Sequence, residues 1–163
     1  MVASFIRPIR PLRLARVECP WRCGIRQLAH EFVVATRGRR LYELTGEVRA
    51  WVAESGLRRG LLTLLVRHTS ASLLIQENAD PAVRVDLERW LARAVPDGDP
   101  LFGHTSEGPD DMPAHVRAAL TATSVSIPVA DGAPALGTWQ GIYLYEHRTA
   151  PHRRRIAAHL LGE

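Results

Sequence analysis

The sequence contains no lysine; all 21 of its Lys+Arg residues are arginine. That usage is as compatible with a genomic base-composition bias as with a function, so it decides nothing by itself. Cysteine is nearly absent as well, with only Cys19 and Cys23. Their C-x-x-x-C spacing is not the redox C-x-x-C, and two thiolates alone cannot complete a tetrahedral zinc site. They are expected to be free, incidental thiols in a reducing cytoplasm. No apolar run reaches the length of a membrane span, and even the stretch from Leu57 to Val66 is broken by Arg58, Arg59 and Gly60. The continuous apolar segment of a secretory signal is missing too. A soluble cytoplasmic chain with no membrane partner is expected.

An excess of positive charge over the body of the chain is also lacking. The formal net charge is +4, but it is unevenly placed. Residues 1–26 hold six arginines (Arg7, Arg10, Arg13, Arg16, Arg22 and Arg26) against one acid, Glu18, and the remainder is close to neutral. A phosphate-backbone groove needs clustered positive charge on the folded domain, so no nucleic-acid partner is expected. The one dense basic run of the body, Arg153-Arg154-Arg155, reads as an exposed strand end or a local anion contact. Residues 1–25, rich in Arg and Pro and without apolar periodicity, are read as an extension that is disordered or comes from a misassigned start.

The body, residues 26–163, is expected to be a single compact α+β domain, strand-rich, with two to three helices. Leu28 to Thr36 reads as the opening strand. Leu41, Leu44, Val48, Trp51 and Val52 fall at helical spacing, closed by Ser55-Gly56. Leu61 to His68 reads as a strand buried on both faces, and Ser72 to Glu77 as another. Asp80-Pro81 is a strong helix start, with Val83, Leu87, Trp90, Leu91 and Ala94 as its buried stripe and Pro96 beyond its end. A shorter helix runs from Pro113 to Leu120. Ser124–Val129, Gly141–His147 and Arg155–Leu161 complete the strands.

Three polar knots stand out on this apolar frame. The densest is His104-Thr-Ser-Glu-Gly-Pro-Asp-Asp-Met-Pro-Ala-His115, a block that Gly108, Pro109 and Pro113 prevent from running as one regular element. It must be a shaped loop, where chemistry tends to sit. Two imidazoles and a carboxylate, Glu107, turned to one point would suit zinc or a related divalent ion. Asp111 reads equally as a helix cap or a site residue. The second knot is His68-Thr69-Ser70-Ala71-Ser72 followed by Gln76-Glu77-Asn78. His68 is either a metal or proton-transfer group backed by hydroxyls such as Thr69, or a structural histidine at a turn. Asn78 and Asp80 are sufficiently explained by a turn and cap. The third knot, Gly137-Thr138-Trp139-Gln140-Gly141, offers a ring to stack on and an amide to read a polar edge. It leads on to Glu146-His147-Arg148, where His147 is a possible proton donor and Arg148 a possible anion fork. The alternative for Trp139 is a plug in the core. The three knots are expected to assemble into one site.

Taken together, these motifs resemble the YjbQ proteins, also called the secondary thiamine-phosphate synthase family. The match runs through His68-Thr-Ser-Ala-Ser-Leu-Leu-Ile-Gln-Glu-Asn-Ala-Asp-Pro81 and His104 to His115, then Ser126-Ile-Pro-Val129 and Leu136 to Arg148. It covers roughly residues 26–163. The resemblance implies a small α+β protein that forms a homotrimer, with a polar pocket where the motifs converge. It also implies a weak thiamine-phosphate synthase activity, in which a pyrimidine carried as its diphosphate is joined to a thiazole phosphate with release of diphosphate. Carried onto this chain, the pocket histidines are His68, His104 and His115, the expected metal ligands, with Glu107 beside them. Glu107, His68 and Asp111 are the expected catalytic groups, and Gln140, Trp139, Arg148, Asn78 and Thr69 the expected contacts to a small phosphorylated substrate. Release of diphosphate needs charge neutralisation by a divalent ion, Zn or Mg, by Arg or by backbone donors. Magnesium prefers oxygen to imidazole, which points to a zinc-like ion serving a different native reaction. The contrasting reading is a non-catalytic metal- or ligand-binding trimer. The segment Thr149-Ala150-Pro151-His152-Arg153 departs from the Gly-rich version of close relatives.

Overall fold

The computed structural model describes residues 24–163; the expectations for the basic extension up to residue 23, with Cys19 and Cys23, lie outside the described residues. The elements run β1 (Arg26–Ala35), β2 (Arg40–Glu43), α1 (Thr45–Glu54), β3 (Gly60–Val66), β4 (Ala71–Glu77), α2 (Pro81–Ala94), α3 (Asp111–Leu120), β5 (Ser124–Ala130), β6 (Ala133–Pro134), β7 (Gln140–Glu146) and β8 (Arg153–Gly162). They form two antiparallel sheets, β1-β8-β3-β5-β6 and β2-β7-β4. No helix of the described residues is long and apolar enough to cross a membrane.

Alternation along the strands makes the core. Leu62, Leu64 and Val66 of β3, Ile156, Ala158 and Leu160 of β8, and Ile127 and Val129 of β5 point inward from the larger sheet. Leu73 of β4 and Ile142 and Leu144 of β7 share that cluster, as do Val48 and Val52 of α1. The smaller sheet is covered on its other face as well: Leu41, Tyr143 and Tyr145 pack with Leu91 of α2. β7 lies between β2 and β4 and is buried on both faces from Gly141 onward. This explains its nearly continuous apolar sequence.

Several expectations need correction. β3 is buried on one face only, and Leu61 and Leu65 on its other face are 44% and 46% exposed. The helix expected from Leu41 begins at Thr45, because Leu41 belongs to β2, whose four residues pair with β7. Four residues are too few to display a strand period against the helical spacing that follows. The stripe expected on α2 is largely open: Leu91 is buried, Val83 and Leu87 are half-buried, and Trp90 is 58% exposed. The start of α2 is as read, with Asp80 Oδ1 accepting from the Ala82 N–H at 2.8 Å.

The core face of β7 ends in a charge. The Glu146 carboxylate, fully buried, accepts from Arg154 Nε at 2.7 Å and Arg154 Nη2 at 2.5 Å, from Thr36 Oγ1 at 2.9 Å and from the Arg148 N–H at 2.9 Å. Arg154 lies on β8, so this pair ties the smaller sheet to the larger one. Burial alone would raise the Glu146 carboxyl, but the hydrogen bonds from Arg154 and Arg148 and the Arg154 charge outweigh it and hold it below its ordinary value. Beside it, His147 is fully buried, with Nε2 2.9 Å from Ser72 Oγ. Burial first, and the Arg117 cation next, depress its pKa from 6.5 to about 3.

Glu146→Ala strands a buried guanidinium and is expected to lower stability by about 3–5 kcal/mol. A loss in urea unfolding no larger than the ~1 kcal/mol of a surface pair would contradict the sheet-linking role. For His147 the unfolded chain takes up a proton that the folded chain refuses. Its contribution is therefore complete above pH 6.5 and declines as pH falls toward about 3. His147→Gln should flatten the unfolding free-energy profile across that window; a profile parallel to wild type would refute this.

Candidate functional site

The loop between α2 and α3 is built by turns and prolines. Gly98 and Gly108 take φ of +70° and +106°, a region open to glycine. The Gly98 N–H bonds the Pro109 carbonyl at 2.9 Å, joining the two arms of the loop. Asp110 is the N-cap position of α3, yet its side chain makes no cap bond. It turns instead to the segment after β7, where Oδ2 accepts from the Thr149 N–H at 2.8 Å, Thr149 Oγ1 at 2.9 Å and Arg148 Nε at 3.2 Å. Burial would raise this carboxyl; the Thr149 hydrogen bonds and the Arg148 charge lower it further than burial lifts it.

Asp111 opens α3 and is buried. One carboxylate oxygen, Oδ1, is held by Arg148 Nη1. The other, Oδ2, lies 2.9 Å from His104 Nε2 and 3.4 Å from His115 Nε2. His115 sits one turn along the helix, so the i, i+4 spacing places it beside Asp111. Its Nδ1 is 3.1 Å from the Thr69 carbonyl. One ligand atom from each of His104, Asp111 and His115 falls within 4.8 Å of the other two.

The geometry fixes a tautomer. A carbonyl only accepts, so His115 Nδ1 carries the proton and its Nε2 is a lone pair when the ring is neutral. That lone pair faces a carboxylate oxygen. Two acceptors turned toward each other require a cation or an extra proton between them. Tetrahedral ligation at 2.0–2.1 Å puts ligand atoms roughly 3.3 Å apart, close to the two His–Asp111 separations here, so these three residues could hold a divalent ion.

The other expected residues fall in different places. His68 does not join the trio: its Nε2 accepts from the Arg155 N–H at 2.9 Å. Its pKa is lowered, first by burial and then by Arg154. It lines the same surface groove as Thr69 and His115. Thr69 contributes its backbone carbonyl. The Glu107 side chain is 67% exposed, 4.0 Å from Arg148 Nη1, while its carbonyl accepts from Arg148 Nη2 at 2.7 Å. Asp111, not Glu107, is thus the carboxylate beside the two imidazoles, and the N-cap position belongs to Asp110. Arg148, expected as an anion fork, spends its guanidinium on Asp110, Asp111 and the Glu107 carbonyl.

The expectation of one assembled site is corrected within a single chain. In the β4–β7 register Ala71 faces Glu146 at one end and Glu77 faces Gln140 at the other. At 3.3–3.4 Å per residue these ends are about 20 Å apart. Gln140, Trp139, Gln76 and Glu77 line a separate open cleft. There Gln140 Oε1 closes its own turn by accepting from the Gly137 N–H at 2.8 Å, and Asn78 N–H bonds the Trp139 carbonyl at 3.0 Å. Trp139 is 65% exposed, so it does not plug the core. The sequence offered Asp110 with Asp111 as a possible cap of α3, but not its bonds to Thr149, which hold the loop.

Comparison with known proteins agrees with the resemblance. The family model described as UPF0047 protein YjbQ-like matches residues 30–163. A UPF0047 protein of Synechocystis is 50% identical over 138 residues, covering 85% of this chain and 94% of that protein. The UPF0047 protein YjbQ of Escherichia coli O157:H7 is 44% identical, over 80% of this chain and 94% of its own. Among solved structures, a hypothetical protein from Aeropyrum pernix superposes with a TM-score of 0.76 at 31% identity, covering 83% of this chain and 99% of that one. With matched residues that include both the strand pair β4–β7 and the loop carrying His104, Asp111 and His115, this chain belongs to the YjbQ-like UPF0047 family.

Proposed function

We propose that this chain is a cytoplasmic, metal-assisted enzyme acting on a small phosphorylated molecule, with His104, Asp111 and His115 as the metal ligands. The observation that carries the reading is the His115 Nε2 lone pair opposed to the Asp111 carboxylate at 3.4 Å. A bound divalent ion would supply Lewis-acid charge neutralisation for a leaving phosphate or diphosphate. The chain's own residues orient the ligands. The Thr69 carbonyl fixes the His115 tautomer, and Arg148 fixes the Asp111 rotamer, as supporting partners of metal ligands commonly do. Because Arg148 is committed to these carboxylates, it leaves no free fork for an anionic substrate, which makes the ion the main anchor for phosphate. Thiamine-phosphate synthesis from a pyrimidine diphosphate and a thiazole phosphate has the required leaving group and is taken as a secondary activity, the native reaction being another of this class.

A homotrimer, as the resemblance implies, has support in the outer face of the larger sheet. Leu61 and Leu161 are exposed there as cross-strand neighbours on β3 and β8, with Leu65 further along β3 beside Ala157 and Val33 on β1 beside Arg155. The Glu31–Arg67 pair, at 2.8 Å, crosses the same face between Leu65 and Val33, so the face offers apolar and charged groups together.

Elemental analysis of the purified protein should find a stoichiometric transition metal that is lost in His104→Ala, Asp111→Asn and His115→Ala but kept in His68→Ala. Metal-free wild type would overturn the metal reading and leave His104 and Asp111, at 2.9 Å, as an acid–base pair. For the assembly, sedimentation equilibrium should give a trimer for wild type and a monomer for Leu61→Asp/Leu65→Asp; the same mass for both would remove that face from the interface.

A further inference from the structure

Resting on the metal reading above, we propose that the cavity on the far side of His104 is the subsite for an uncharged, flat ring of the substrate. Phe102, Met112, Pro100, Pro109 and Pro113 wall this cavity, of about 310 Å³, and His104 closes one side. The volume lies within the range of small-molecule sites, and apolar walls with one or two polar groups are their usual make-up.

Its walls are held by covalent and hydrogen-bonded constraints rather than by loose side chains. Each of the three prolines fixes its own φ. Asp99 Oδ1 accepts from the Leu101 N–H at 2.9 Å, and its carbonyl accepts from the Phe102 N–H at 3.1 Å, closing the turn that presents Phe102. The Gly98–Pro109 bond then holds the opposite arm at a fixed distance. Met112 follows Asp111 directly on α3, so the ligand carboxylate and the cavity wall move as one body.

The chemistry of the lining selects the ligand. The lining includes the Asp99 carboxylate, held by the Leu101 N–H, and no Arg, so a phosphate would be desolvated there beside a like charge and without a counter-charge. An aromatic face, a thioether and proline rings favour the faces and edges of a planar ring. His104 Nε2 is turned to Asp111, whereas its Nδ1 makes no hydrogen bond to the described residues. That nitrogen is available to a ring heteroatom or hydroxyl. A substrate with a neutral ring here would place its anionic end toward the His104–Asp111–His115 point. Ring and leaving group would thus be sorted to opposite sides of one imidazole.

The chain offers a built-in reporter, because Met1 and Met112 are its two methionines. In protein labelled with [methyl-13C]methionine, indole and benzyl alcohol should move the Met112 methyl resonance saturably, and benzoate at least tenfold less effectively. Thr105→Phe, which leaves the backbone bonds of the loop in place and fills the cavity, should abolish the indole shift. Cobalt(II) in the same sample reads the metal point separately, through a paramagnetic shift of that methyl that His115→Ala removes. No response to indole at its solubility limit, or an indole shift undiminished in a folded Thr105→Phe variant, overturns the subsite whether or not cobalt binds. An indole response without any cobalt shift would instead sink the metal reading and keep the cavity.

Discussion

The buried Glu146–Arg154 pair is the constraint on which the rest of this molecule depends. It joins the end of β7 to the start of β8 and so connects the two sheets at one edge of the core. A carboxylate with no solvent exposure is tolerable only because four hydrogen bonds reach it, including one from the Arg148 backbone. The segment after β7 is thereby anchored at its first residues. That anchored segment presents the Arg148 guanidinium and Thr149 to the loop ahead of α3.

From this follows the order of support around the candidate site. Arg148 and Thr149 grip Asp110 and Asp111, and Asp111 then meets His104 and His115. The loop contributes no strand and little apolar burial, so charge-assisted bonds to a fixed edge take the place of packing. The i, i+4 relation on α3 adds precision that a loop alone would lack. Buried one residue past the end of β7, His147 stays neutral and lends the same edge a second tie through Ser72. The candidate site rests on a rigid strand end and a helix start, with the irregular loop clamped between them.

Much of the fold was legible. Alternation and turn residues located β1, β4, β5, β7 and β8, and Asp80-Pro81 marked α2 because capping is a local event. The shorter pieces, β2 and β6, were not legible, since pairing partners rather than their own residues define them. The two faces of β3 misread for a related reason. Leu61 and Leu65 are apolar like their inward neighbours, and hydropathy alone does not separate an exposed apolar face from a core. His104, His115 and Asp111 were recognisable from the density of titratable groups, but the place beside the two imidazoles was given to Glu107 rather than Asp111. Glu107 and Asp111 are chemically alike, and only the start of α3 turned one inward and the other out.

The sequence by itself determined the α+β class, the strand-rich body beginning near residue 26, the family and the loop that carries His104, Asp111 and the approach to His115. These depend on local pattern: periodicity, proline and glycine placement, and ordered motifs. Tertiary structure decided which polar residues meet. It separated Gln140 and Trp139 from the histidines by the length of a strand, directed His68 to a backbone amide, and spent Arg148 on carboxylates. The physical reason is that contacts between distant segments are set by strand register and buried hydrogen-bond demand, and neither is written in the spacing of any one segment.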